Sequence, residues 1–161
     1  MDKQVETKSK DFRPTQRSLP MVLLRTSEAV TETFRPMLKS LRVTGQQWRV
    51  LRVVAEAGTI DASEVAKRAA VLPPSLTRML RLLEKRKLIK RKKDKRDGRR
   101  VILEIAPNGL ALINRGAPLS LTIHKNMEDH FGQERMNTLR LLLAELTAVA
   151  EALLVQGRQP R

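Results

Sequence analysis

The chain has 161 residues, with 32 basic against 17 acidic side chains and a formal charge of +15. That balance calls for a polyanionic partner, either nucleic acid or an anionic membrane face, while the absence of cysteine excludes disulfide frameworks, thiolate metal sites and cysteine-based redox sensing. No stretch approaches the roughly 20 uncharged apolar residues of a membrane span, and the polar start lacks the apolar run of a secretory signal. The default location is therefore the cytoplasm, with no membrane as the expected partner.

Residues 1–17 are polar and aperiodic and read as a mobile arm. From residue 18 to 43 an apolar stripe of helical spacing includes Val22, Leu23, Val30, Phe34, Leu38 and Leu41, and Pro36 should kink or divide that helix. A new helix opens at Thr44, where Thr44 and Gln47 have the spacing of a capping box, and stops at Gly58. Thr59-Ile60 is at most a bridge or a very short strand. Asp61-Ala-Ser-Glu64 spells a second capping box for a short helix to about Ala69. Pro73-Pro74 then starts another helix near Pro74 or Ser75, running to about Arg86 and burying Leu76, Met79, Leu80 and Leu83. A short helix, a tight turn and a second helix make a helix-turn-helix.

Beyond it the period shortens. Leu88–Arg91 and Arg100–Ile105 read as two strands joined through the Asp97-Gly98 turn signal, a basic wing. Thirteen basic and three acidic residues lie between Arg78 and Arg100, so two thirds of the excess charge sits in one segment. A long helix follows over about 107–131, interrupted at Gly116 and Pro118, and an apolar-striped helix spans about 133–155 before a tail at 156–161. The fold class is mainly α: a winged helix-turn-helix domain at 44–106 with a small β-hairpin wing, and helices at 18–43 and 107–155 forming a dimerisation region. The terminal helices carry more apolar surface than one small module can cover, which favours a homodimer on a palindromic operator.

Within the reading helix, Ser75, Thr77 and Arg78 lie at the end expected to enter the major groove. Arg78 is the candidate for bidentate contact with a guanine, and Leu76 or Pro74 for a thymine methyl or a sugar. Ser75 reads equally as a first-turn residue and Thr77 as a spacer. Arg81 and Lys85 are assigned to phosphates, with Ser63 at the start of the preceding helix. In the wing, Arg96 and Arg99 are candidates for the minor groove, Arg99 foremost. Asp94 and Asp97 either orient them or staple the turn to itself.

No glycine-rich phosphate loop, no HExxH and no nucleophilic cysteine is present, and His124 and His130 do not share a helix face, so no catalytic or metal site assembles and no cofactor is called for. Sequence-specific RNA binders stack bases on aromatics, and none lies in the basic segment. A basic RNA- or DNA-binding structural protein without an effector is the alternative reading.

The segment Thr44–Asn108 resembles the MarR family of bacterial transcriptional regulators. Gln47-Trp-Arg-Val-Leu51 is similar to that family's second-helix pattern, Ser75–Lys85 to its recognition helix, and Lys90-Arg91 with Asp94-Lys-Arg-Asp-Gly-Arg99 to its wing motif. Across the whole chain it looks like the branch that represses homoprotocatechuate (4-hydroxyphenylacetate) degradation operons. Lys87 departs from the pattern, standing where the family usually ends the recognition helix with glycine, as does Ile105-Ala106 in place of Leu-Thr. The resemblance implies a transcriptional repressor, a double-stranded DNA partner and a small phenolic or aromatic acid effector. Candidate effector contacts are Ser27, Trp48, Arg49 and His124. Trp48 reads as readily as a core residue, Arg49 as a surface charge and His124 as an ordinary surface or core histidine.

Overall fold

The apolar periodicities resolve into seven helices and three strands in a computed structural model, which describes residues 18–94, 97 and 100–157. The expected arm at 1–17 and the wing-tip candidates Arg96 and Arg99 lie outside the described residues.

The first stripe forms two helices, α1 (Leu19–Thr33) and α2 (Arg35–Ser40). Pro36 divides them as expected. It sits in the first turn of α2, where its missing N–H leaves no bond unmade, so the break falls at Phe34. Helix α3 (Gly45–Ala57) opens on the expected capping box. The Gln47 N–H donates to Thr44 Oγ1 at 3.2 Å and the Thr44 N–H donates to Gln47 Oε1 at 3.1 Å. Its Val50, Leu51 and Val54 are fully enclosed.

Strand β1 (Thr59–Asp61) leads into α4 (Ala62–Arg68) and α5 (Pro73–Lys85), and these are followed by β2 (Ile89–Lys93) and β3 (Val101–Ile105). The wing is therefore not a free hairpin. The sheet has three antiparallel strands in the order β1-β3-β2, with Leu103 opposite both Ile60 and Arg91. Leu103, Leu83, Leu51 and Val65 are among the largest fully buried side chains, so the sheet, α3, α4 and α5 share one core.

Three helices end in the same device. The N–H groups of Arg42 and Val43 bond back to Lys39 and Leu38, those of Ala70 and Val71 to Lys67 and Ala66, and those of Lys87 and Leu88 to Glu84 and Leu83. This is the Schellman pattern, in which the penultimate residue takes a left-handed backbone. Arg42, Ala70 and Lys87 do so with φ of 54°, 50° and 56°. Each pays the steric penalty that glycine lacks. Lys87→Gly is expected to stabilise the chain by about 0.5–1 kcal/mol, seen as a higher urea midpoint at unchanged slope. An unchanged or lower midpoint would show that the lysine stem compensates for the strain.

Helix α6 (Pro107–Phe131) covers the expected span as one helix and keeps Gly116 and Pro118 inside it. Proline removes one i→i−4 bond, and the carbonyl it frees belongs to Asn114, which is exposed to water. The chain divides into two compact units between Ile113 and Asn114. In the first unit Ala106, just before α6, and Leu112 and Ile113 in its opening turns are buried, and the Ala106 N–H donates to the Leu88 carbonyl at 3.0 Å. In the second, Gly132 (φ 93°) joins α6 to α7 (Gln133–Gln156), and Arg140 Nη2 reaches Glu128 Oε1 at 2.6 Å. Helix α7 buries none of its residues, leaving Leu141, Leu142, Val149, Leu153 and Leu154 exposed.

Candidate nucleic-acid interface

Helix α5 is built to present one polar face. Pro73 and Pro74 occupy its first turn, and Leu76, Met79, Leu80 and Leu83 recur at helical spacing on the buried side. The other nine positions are exposed: Pro73, Pro74, Ser75, Thr77, Arg78, Arg81, Leu82, Glu84 and Lys85. Leu76 must be corrected as a DNA contact. At 3% exposure it belongs to the core, and its phase on the helix allows nothing else. The Thr77 hydroxyl donates to the Pro73 carbonyl at 3.1 Å, which fixes its rotamer at the head of the helix.

The cations in and around α5 fall into paired and unpaired sets. Arg52, Arg68, Arg91, Lys92 and Arg100 each have a carboxylate partner. Among the described residues, Arg78, Arg81 and Lys85 have none. Three unneutralised cations on one exposed helical face make a surface that attracts phosphate.

Ser63 is also reassigned. Its N–H and its hydroxyl both donate to Asp61 Oδ1, at 2.7 and 2.5 Å, so the donors expected to meet a phosphate are engaged inside the chain. Asp61 caps α4, but the reciprocal bond expected from Glu64 is not what completes the site. Instead Asp61 Oδ2 accepts from Arg100 Nε at 3.0 Å, tying the head of α4 to the root of the wing. The Ser63 hydroxyl, then its N–H and the Arg100 guanidinium, hold the Asp61 carboxyl below its ordinary value against the opposing effect of burial. The pairing in turn raises the Arg100 pKa. A depressed carboxylate stabilises the fold above its unfolded pKa, and that contribution is lost as pH falls through the folded value. Asp61→Ala is expected to lose about 1 kcal/mol at neutral pH, as for other lost N-caps. The gap to the parent should narrow in urea melts as pH is lowered below the ordinary carboxylate range. A pH-independent gap would mean that the loss is packing rather than charge.

In the wing, Arg91 Nη1 lies 3.4 Å from Glu84 Oε2 on α5, and Lys92 Nζ 2.8 Å from Glu104 Oε2 across the sheet. Arg91 Nε is buried with no hydrogen-bond partner among the described residues, beside a cleft of about 180 Å³ lined by Glu84, Arg91, Lys92, Lys93 and Val101. The first pair moors the wing to α5 and the second ties its two strands together. Lys90 and Lys93, without carboxylate partners among the described residues, are left for long-range attraction. At the tip, Asp94 and Asp97 brace the turn, with the Asp97 N–H donating to Asp94 Oδ1 at 3.3 Å and the Arg100 N–H to the Asp97 carbonyl at 2.9 Å.

Of the candidate effector contacts, Ser27 is exposed on α1 and Trp48 is 8% exposed in the core face of α3. Arg49 donates from Nε to the Ala69 carbonyl at 3.0 Å, capping the end of α4. His124 is exposed on α6 in the second unit. Among the described residues no group of three or more acidic or histidine side chains is placed to hold a metal, and no helix is long and apolar enough to cross a membrane.

The MarR family model matches residues 43–101, which run from the link before α3 to the start of β3. The chain is 38% identical to the HTH-type transcriptional regulator FarR of Neisseria gonorrhoeae, over 84% of this chain and 93% of that one. It is 36% identical to the homoprotocatechuate degradative operon repressor of Escherichia coli, over 84% and 91%. Among solved structures it is similar to NadR in complex with 4-hydroxyphenylacetate, with a TM-score of 0.75 and 36% identity over 84% of this chain and 99% of that one.

Proposed function

This chain belongs to the MarR family of transcriptional regulators, and from that membership we propose that it is a repressor of an aromatic catabolic operon, held on a palindromic operator as a homodimer and released by a small phenolic or aromatic acid such as a hydroxyphenylacetate. The observation that carries the DNA-binding half is the exposed face of α5, where Arg78, Arg81 and Lys85 have no carboxylate partner among the described residues. The apolar side chains left exposed along α7 support a second copy as their cover. The effector class rests on likeness to the Escherichia coli repressor and to NadR. In this reading the protein is not an enzyme, needs no cofactor and works in the cytoplasm on the nucleoid. Ser75, Thr77, Arg78 and Pro74 meet the major groove, Arg81 and Lys85 meet phosphates, and Arg96 and Arg99 belong to the wing contact. Ser27, Trp48, Arg49 and His124 are the effector candidates.

The test is a salt-titrated gel shift on a duplex that the full chain selects from a randomised pool, with 4-hydroxyphenylacetate and related acids added. Selective binding that weakens with salt, release by at least one acid and a matching change in the emission of Trp48, the single tryptophan, are expected. Tight binding without sequence preference and untouched by any acid would favour the basic structural protein instead.

A further inference from the structure

Leu72 is 75% exposed, the most exposed of the large apolar side chains described. Its position has a local cause. The left-handed turn at Ala70 returns Val71 to the core, where it is 6% exposed. The extended backbone of Leu72 (φ −63°, ψ 139°) then projects the next side chain outward, and Pro73-Pro74 hold that geometry. Leu72 is the N-cap of α5 and supplies no side-chain hydrogen bond to it, where serine, threonine, aspartate or asparagine would. The chain thus gives up a cap and leaves a leucine in water at one and the same residue.

A single exposed leucine is ordinary on a protein surface. This one stands at the leading end of the helix that carries Ser75, Arg78 and Arg81 on its open face. The partner of such a surface offers phosphates and, within reach of the same helix end, an apolar group. Duplex DNA does so through the C5-methyl of thymine in the major groove. We infer that Leu72 reads a thymine methyl in each half-site, taking the role expected of Leu76 or Pro74. The inference rests on α5 lying in the major groove.

The experiment uses the full chain and its selected duplex, with each thymine of a half-site replaced in turn by deoxyuridine, which lacks only the methyl. The parent should lose about fourfold in affinity at one position, the worth of one buried methyl group. Leu72→Ser should bind the thymine and uracil duplexes alike there, with a thermal midpoint no lower than the parent's because serine is the better N-cap. The proposal is overturned if the parent ignores every replacement, or if Leu72→Ser keeps the parent's uracil penalty. It also fails if the penalty survives in Leu72→Ser and vanishes in Pro74→Ala, which would move the contact to Pro74. If the chain selects no duplex at all, the major-groove reading falls with it. Selection lost in Arg78→Ala but indifferent to uracil overturns the role of Leu72 alone.

Discussion

Gly109→Ala is expected to destabilise the chain by about 3 kcal/mol or more. A Cβ at Gly109 would sit 2.0 Å from the Leu88 carbonyl oxygen and 2.7 Å from Ile105 Cδ1. The oxygen is backbone and cannot swing aside. It already accepts the Ala106 N–H at 3.0 Å, and its residue closes the Schellman turn of α5 through Leu88 N–H to Leu83. Any relief must therefore displace the end of α5, the start of β2 or the first turn of α6 together. Gly45→Ala is the control, since a Cβ there meets only ordinary contacts at 3.7 Å, and it should shift stability by less than about 0.5 kcal/mol. Urea denaturation followed by far-ultraviolet circular dichroism reads both. A Gly109→Ala protein within about 1 kcal/mol of the parent would show that α6 can slide off the winged helix without penalty.

The largest expected effect on recognition is at Arg78. Replacement by alanine should remove about 1–3 kcal/mol of discrimination per half-site, at one base position, by deleting a bidentate contact to guanine. Arg78→Lys keeps the charge and loses the planar fork, so it should bind random duplex like the parent and still fail to prefer the selected sequence. Arg81→Ala and Lys85→Ala should weaken all sequences alike and lower the salt slope by about 1 for each phosphate no longer neutralised. Competition binding at several salt concentrations separates the two behaviours. If Arg78→Ala retains the full preference for the selected duplex, the base-reading role belongs to another residue of α5.

Features with local causes were legible in the chain. The Thr44–Gln47 box, the division at Pro36, the start of α5 at its proline pair and the shortening of period into the wing all depend on residues a few positions apart, and all stand in the structure. Features that depend on a distant partner were not. Asp61 reads as half of a capping box with Glu64, but its second oxygen is taken by Arg100, 39 residues on. Nothing near Thr59-Ile60-Asp61 announces that it will pair with β3. Gly109 looks like an indifferent glycine in a helical first turn until the Leu88 carbonyl is placed against it. Leu76 and Leu72 show the limit differently. Periodicity assigns Leu76 to the core, and that phase decides against the groove contact, whereas Leu72 precedes the helix and escapes the periodic rule. Lys87 was legible as a departure from the family glycine, and its φ of 56° states what the departure does to the backbone.

The left-handed residues Arg42, Ala70 and Lys87 have a consequence for how this molecule tolerates change. None is among the residues expected to meet DNA, and each holds a small stability gain that one glycine would release. Natural chains sit just above the threshold at which they stay folded, so altered readers that loosen the fold are usually lost before their new preference can be used. Here three separate helix ends can be tightened first, for a combined gain of about 1.5–3 kcal/mol if the sites act independently. A library that rewrites the face of α5 for a new target sequence would start with that reserve in hand.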